Sequence, residues 1–378
     1  MIYLDNAAGT RPYQEVVDVV SNIFANYWGN ASADNSFGNK AMTLIDDTTN
    51  KVAHDLNCNH DEIVWTSGAC EANSLAILGF TNNYYTRFYT SKLEHASINE
   101  VLKAISGSHS VFFIENDTNG FISLDDLKAQ LERDKYSCAK PLVSISFANS
   151  EIGTIQDIKS IAELVHSYGC TLHVDATQMY PWNKIDVKDF GIDMMSVSGQ
   201  KLHCCKGIGF LYIRNGIDIK PIIYGTQQYA RRGGTYPTHL IAAFGQALEI
   251  TRQNNATAKV KELRDKLLSK LMVIDNVHLN GPSSDNMRLP NNISLTIGGV
   301  GAETLTTMCD LMGIIIAKGS ACKSYEPKPS NTLLAIGLTS EQALNTIRIS
   351  LDEFNLLEEI DTAAEIITKL VERIRQNG

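Results

Sequence analysis

Between residues 60 and 215, short apolar runs alternate with segments of helical period, and this alternation constrains the fold more than any other feature of the chain. Ile63–Thr66 reads as a strand, followed by a small-residue turn and a helical stretch over 70–79. The runs 142–147, 171–174, 194–197 and 208–213 read as four more strands. Before the third strand, Ile161, Leu164, Val165 and Tyr168 share one helical face, and Gly169 ends that helix. Strands separated by helices pair in parallel, so an α/β layered domain is expected. The C-terminal part is different. Runs 292–297 and 313–316 look like strands, and Ile360, Ala363, Ala364, Ile367, Leu370, Val371 and Ile374 line one face of a helical tail. This predicts a smaller α+β unit beginning near residue 255.

A length of 378 residues leaves room for both units, and 44% hydrophobic with 20% charged residues is ordinary for a globular protein. The formal net charge of -9 argues against direct nucleic-acid binding, because Arg231 and Arg232 are the nearest approach to a basic cluster. No run reaches the roughly 20 apolar residues of a membrane span. The first residues show no secretory leader, so a cytoplasmic location is expected. Eight cysteines without a C-x-x-C pair suggest free thiols rather than a disulfide framework. Cys58, Cys138, Cys170 and Cys309 read as core or incidental residues. Adjacent residues rarely converge on one ion, and no distant pair completes the ligands around His203, Cys204 and Cys205, so no metal site is expected.

The chemistry gathers at strand ends, where an open α/β sheet places its ligand. After the first strand, SGACE (67–71) enters a helix whose N-terminal amides can hold a phosphate. After the third, HVDATQ (173–178) puts Asp175 at the end of a buried strand. After the fourth, SVSGQK (196–201) puts Lys201 at the mouth of the sheet. Taken singly, the first reads equally as a plain capped helix start, while Asp175 reads better as a helix N-cap and Lys201 as a solvated surface group. Together they match what pyridoxal phosphate (PLP) needs: a lysine for the Schiff base, an acid for the pyridine nitrogen and a phosphate cradle. Asp175 and Lys201 stand 26 positions apart on successive strand ends.

With these motifs in order, the chain resembles the cysteine desulfurases of the NifS/IscS type, in the class V aminotransferase group of PLP enzymes. The segments that carry the resemblance are YLDNAA (3–8), GNAS (29–32), SGACE (67–71), EH (94–95), EIGT (151–154), HVDATQ (173–178), SGQK (198–201), KGIG (206–209), RGGT (232–235) and GSACKS (319–324), and it extends to Arg348. It implies an aspartate-aminotransferase-like fold, with a large PLP-binding domain over 15–255 and a small domain made of 1–14 with 256–378. It further implies that Lys201 forms the Schiff base and moves the Cα proton, Asp175 pairs with the pyridine nitrogen, Gln178 bonds the ring hydroxyl and His95 stacks on the ring. Ala69, Cys70, Ser198 and Gln200 fall on phosphate-binding positions. Thr235 matches a residue that reaches the phosphate of a neighbouring subunit, hence a homodimer. Arg348 matches the clamp on the substrate carboxylate, with Asn30 and Ser150 also on substrate-binding positions. Cys322 matches the nucleophile that takes sulfur from L-cysteine as a persulfide, leaving L-alanine, and passes it to an acceptor protein. Small neighbours permit an exposed loop, and Lys318 and Lys323 favour the thiolate. The Ser-Ala-Cys context is closer to the long-loop desulfurases than to those with Arg-x-Gly-His-His-Cys.

Several positions depart from the family. Ser150 stands for an Asn, Cys70 for a Thr, Gln200 for a His and Gly9 for a Thr; Cys204 and Cys205 stand for Gly-Pro, and 224–231 lacks the usual Gly-rich His-Glu sequence. The Schiff-base, pyridine-nitrogen, stacking and nucleophile positions are kept, so an active enzyme with an altered site is expected. A selenocysteine lyase, another PLP lyase or transaminase of this fold, and an idle sulfur-pathway scaffold are the alternatives. The acceptor is left open among iron–sulfur, tRNA-thiolation and DNA-phosphorothioation systems.

Overall fold

A computed structural model describes residues 1–81, 86–134, 140–319 and 328–377, without side-chain detail at 140 and 377. Cys138 and Cys322 lie outside the described residues.

The chain opens with β1 (Ile2–Tyr3) and continues with β2 (Ile63–Thr66), β3 (Thr86–Ser91), β4 (Ser110–Ile114), β5 (Lys140–Ser146), β6 (Thr171–Asp175), β7 (Met194–Ser198) and β8 (Gly209–Ile213). The last seven form one sheet in the order β2-β8-β7-β6-β5-β3-β4. The pairs from β7 through β6, β5 and β3 to β4 are parallel. Helices from the intervening segments pack against both faces, and apolar cores lie on either side of the sheet. The sheet is mainly parallel, as expected, with one antiparallel edge where β8 runs against both β7 and β2. The reason is the connection: only 199–208 separate β7 from β8, too few for a crossover. Neither β3 nor β4 was expected from the sequence. In β3, TRFYTS carries more hydroxyls than rings, and its buried Thr86, Thr90 and Ser91 hide an interior strand behind a polar composition.

The second half adds β9 (Val277–Leu279), β10 (Asn292–Ile297), β11 (Ile314–Ile315), β12 (Ala317–Lys318) and β13 (Thr346–Ser350). Four of these make an antiparallel sheet in the order β12-β13-β10-β9, while β11 pairs with β1. Of the run 313–316, only Ile314–Ile315 is strand, and the chain enters the four-stranded sheet just after it, at β12. A third apolar cluster joins Leu4 with residues from Val260 to Val371. The tail helix, Leu357–Asn377, buries Ile360, Ala363, Ala364, Ile367, Leu370 and Val371 there, the face its spacing predicts. Among the described residues no helix is long and apolar enough to cross a membrane.

Candidate active site

Gly209 of β8 pairs with Ser198 of β7 and Thr66 of β2, so the turns after those strands leave the sheet side by side. A Cβ on Gly209 would lie 2.8 Å from Gly68 Cα, so glycine is required there. Gly68 has φ +146, and a Cβ on it would lie 3.7 Å from Ser198 Oγ. Helix Ala69–Phe80 begins here without a side-chain cap. Its first-turn amides, at Ala69 and Cys70, thus open beside the buried Ser198. Glu71, in the same turn, would repel an anion but is neutralised by Arg232, whose Nε and Nη2 donate at 2.7 and 3.2 Å. Burial works against the carboxylate, yet those bonds outweigh it and hold Glu71 below its usual range.

At the end of β6, Asp175 is 6% exposed. Its Oδ2 accepts from Asn73 Nδ2 at 2.8 Å and its Oδ1 from Thr177 N at 3.0 Å. No ion pair among the described residues reaches it, which leaves a buried carboxylate facing no cation. Its buried neighbours cannot supply the charge. His173 sits between Ser144 Oγ and Ser196 Oγ, both 2.9 Å away, and burial pushes it down to about 4 against the pull of Asp175. Glu94 accepts from Ser91 Oγ at 2.7 Å and is pushed up to about 7 by burial.

Lys201 ends a short turn, Gly199–Lys201, after β7, and its Nζ donates to Ala8 O at 2.6 Å. Burial first, then Arg348, lowers it to about 8, with Asp5 and Asp175 opposing. Residues 5–10 strap this turn to the second half. Ala7 N donates to Ser350 Oγ at 2.8 Å, Gln178 Nε2 to Ala7 O at 3.1 Å, and Thr10 N to Gln200 O at 3.1 Å. Arg348 points in from β13. Its Nη2 meets Asp5 Oδ1 at 2.7 Å, its Nη1 reaches Ser150 O at 3.5 Å, and its Nε is buried without a partner among the described residues. Arg348, Asp5, Asp175 and Cys70 thus all act electrostatically on Lys201, and Lys201 and Gln178 line one cleft.

The other predicted residues are placed less directly. His95 is exposed and caps helix Ala96–Ile105. Ser150 offers Arg348 its carbonyl. Asn30 is exposed in a turn where its Oδ1 accepts from Ser32 N at 3.0 Å. Thr235 is exposed on a loop held by Gln228, whose amide spans Trp65 N at 2.6 Å and Trp65 O at 3.0 Å. Asp5 and Asn73 were not singled out from the sequence. The available signal for Asn73 was an amide on a helix face with Ala72, Leu75 and Ala76, where it must find a partner.

The departure from a Gly-rich loop has a conformational cost. Gln228, Tyr229 and Ala230 have φ of 50, 58 and 58, three successive left-handed residues with side chains. Ala230→Gly should raise stability by about 0.5–1 kcal/mol, since relief of left-handed strain exceeds the added freedom of the unfolded chain. Urea unfolding measures this; a loss of stability would mean that the Ala230 methyl packs usefully.

Among the described residues no group of three His, Cys, Asp or Glu side chains could hold a metal ion. The cleft can instead take a phosphate at the helix start and a protonated ring nitrogen at Asp175, with an amine at Lys201 able to condense with a carbonyl.

The class-V aminotransferase family profile matches residues 2–362. The chain is 35% identical over 383 aligned residues to a protein named cysteine desulfurase IscS from Clostridium botulinum, covering 99% of this chain and 95% of that one. It superposes on a solved NifS-like protein with a TM-score of 0.90 at 28% identity, covering 98% and 99% of the two chains. A structure described as SspA in complex with cysteine superposes with a TM-score of 0.80 at 29% identity, covering 94% of this chain and 100% of that one.

Proposed function

We propose that this chain, which belongs to the class-V aminotransferase family and within it to the IscS/NifS-type cysteine desulfurases, takes sulfur from free L-cysteine as a persulfide on Cys322 and releases L-alanine. One observation carries the reading: a buried Asp175 without an ion-pair partner lies within electrostatic reach of a lysine lowered to about 8. Pyridoxal phosphate would fit these groups: Asp175 would hold its protonated ring nitrogen, and the Lys201 amine would hold its aldehyde carbon. When bound, it supplies an electron-accepting ring conjugated to the substrate Cα.

The chain's own residues do the rest. Asp175 keeps the ring nitrogen protonated. Ala69 and Cys70 amides, Ser198 and Gln200 hold the phosphate, more loosely than in the family pattern, because a thiol at Cys70 is a weak donor and Gln200 carries no charge. Gln178 and His95 fix the ring. Arg348 binds the substrate carboxylate, helped by Asn30 and Ser150. Lys201 Nζ, once displaced by the substrate amine, takes the Cα proton. The Cys322 thiolate attacks the substrate sulfur: an S–S bond forms, the C–S bond breaks, and its electron pair ends in a new C–H bond of alanine. The persulfide then passes to an acceptor protein.

We read the active unit as a homodimer in which Thr235 completes the partner's phosphate site. Exposed Trp28, Phe37, Tyr224 and Tyr229 offer apolar surface for that contact. The division into a large unit over 15–255 and a small one of 1–14 with 256–378 is part of the same reading. A reducing cytoplasm would keep Cys322 a thiol.

The test is to load the protein with pyridoxal phosphate and supply cysteine and selenocysteine separately. Visible absorbance from a lysine-bound cofactor, with alanine formed from cysteine mole for mole with sulfur, is the expected result. Alanine from selenocysteine alone, or no absorbance at all, overturns the reading.

A further inference from the structure

Asn73 is fully buried, yet both hydrogens of its amide are committed. Its Nδ2 donates to Asp175 Oδ2 at 2.8 Å and to Ser97 Oγ at 2.9 Å. An ionised carboxylate only accepts, so the amide nitrogen, not its oxygen, must face Asp175. Its Oδ1 has no partner among the described residues, so the two donor bonds alone fix its orientation. Ser97 Oγ accepts from Asn73 and keeps its own proton to give. The receiver is His95 Nδ1, 2.8 Å away, which also faces Ser97 N–H at 3.1 Å. A ring nitrogen that receives two donors carries no proton, so the single proton of the neutral imidazole lies on Nε2.

We propose that Asn73 and Ser97 are positioning residues in a hydrogen-bond chain of fixed polarity, donating outward from the Asn73 amide to Asp175 on one side and through Ser97 to His95 on the other, which ties His95 to Asp175 and fixes His95 as the Nε2–H tautomer. The inference deepens the desulfurase reading and rests on it for its kinetic consequences, but the tautomer itself does not. The relay acts on the ring and not on the backbone, which is pinned separately: Asn99 Nδ2 donates to Glu94 O at 2.7 Å, and Ile98 N to His95 O at 2.9 Å. Removing the Ser97 hydroxyl should therefore take from the imidazole one of its two donors, leaving the Ser97 N–H, without unfolding its turn.

The test begins with the cofactor-free protein. Nitrogen NMR of the imidazoles should find His95 as the Nε2–H tautomer; a proton on Nδ1 overturns the proposal whatever the enzyme's activity. In the loaded enzyme, Ser97→Ala should lower kcat roughly tenfold or more, the equivalent of one strong hydrogen bond, with KM for cysteine and cofactor retention unchanged. Asn73→Leu should give that loss and also release the cofactor roughly tenfold faster, because Asp175 loses a donor. Ser97→Thr, which keeps the hydroxyl, should restore kcat. An unchanged kcat in Ser97→Ala, or a loss accompanied by a lowered unfolding midpoint and raised KM, would mean that the relay only supports packing. Should the loaded protein fail to turn over cysteine, the desulfurase reading falls while the tautomer result stands by itself.

Discussion

Lys201→Ala is expected to abolish both the visible absorbance of the loaded enzyme and its desulfuration, while the protein stays folded. The turn that carries the lysine is held by backbone bonds, Leu202 N to Gly199 O at 2.8 Å and Gly199 N to Ile208 O at 2.9 Å, which the substitution leaves in place. What disappears is the amine. Its loss removes both the covalent anchor of the cofactor and the base for the Cα proton, a combination expected to cost at least about 10⁴-fold in turnover. The wild-type amine also makes a pH prediction. Burial and Arg348 disfavour the ammonium, so Lys201 titrates at about 8 instead of its ordinary 10.5. Only the neutral amine condenses with an aldehyde, so cofactor capture by the cofactor-free protein should quicken as pH rises, with a midpoint near 8. Replacing Arg348 by Met removes a positive charge and should move that midpoint upward. Stopped-flow absorbance measures both; a midpoint near 10.5, or desulfuration by Lys201→Ala at the wild-type rate, would remove Lys201 from the mechanism.

The groups legible in the sequence were those whose signal is local. Asp175 and Lys201 each follow a short apolar run, and such runs are the part of an α/β sheet that periodicity reports best. What escaped depends on which distant segments meet. Asp5 holds Arg348 from 343 positions away, across the pairing of the N-terminal strap with β13. Nothing in the spacing of either segment announces that contact. β3 escaped because its Thr86, Thr90 and Ser91 are buried inside the sheet, so a polar composition does not place it at the surface. The reversed edge at β8 was legible in principle from the short connection after β7. The loop at 224–231 shows the opposite case: the family's glycines are absent, but the backbone still turns left-handed, because the Gln228 amide pairs with β2 and fixes the loop at the expense of local strain.

Cys322→Ser should retain the cofactor and bind cysteine, yet accumulate no protein persulfide and lose at least about 10³-fold of its sulfur transfer, since an alcohol is a far poorer nucleophile than a thiolate. Cys322 itself lies outside the described residues, so the argument runs through what flanks it and what competes with it. The chain enters 320–327 from β12, where Ala317 pairs with Arg348 and Gly319 N donates to Thr346 O at 2.9 Å. It leaves toward Ser330, whose Oγ donates to Glu151 beside Ser150. Arg348 and Glu151 thus stand beside the two ends of that segment. Most competing thiols are poorly equipped. Burial pushes Cys58, Cys170 and Cys309 up to about 12, which leaves roughly one thiolate in 10⁴ at pH 8. Cys204 is buried, and the bond it shares with Cys205 raises it further. Cys205, lowered to about 7 by the same bond, and the exposed Cys70 are the credible rivals. Neither adjoins the anchors of 320–327 in sequence, and Cys70 opens on the phosphate end of the cleft. Mass spectrometry of cysteine-treated enzyme should therefore place the extra sulfur on the Cys322 peptide, and Cys205→Ser should leave it there. Sulfur found chiefly on Cys205 or Cys70, and surviving in Cys322→Ser, would move the carrier to that thiol and give the departures from the family pattern a catalytic meaning.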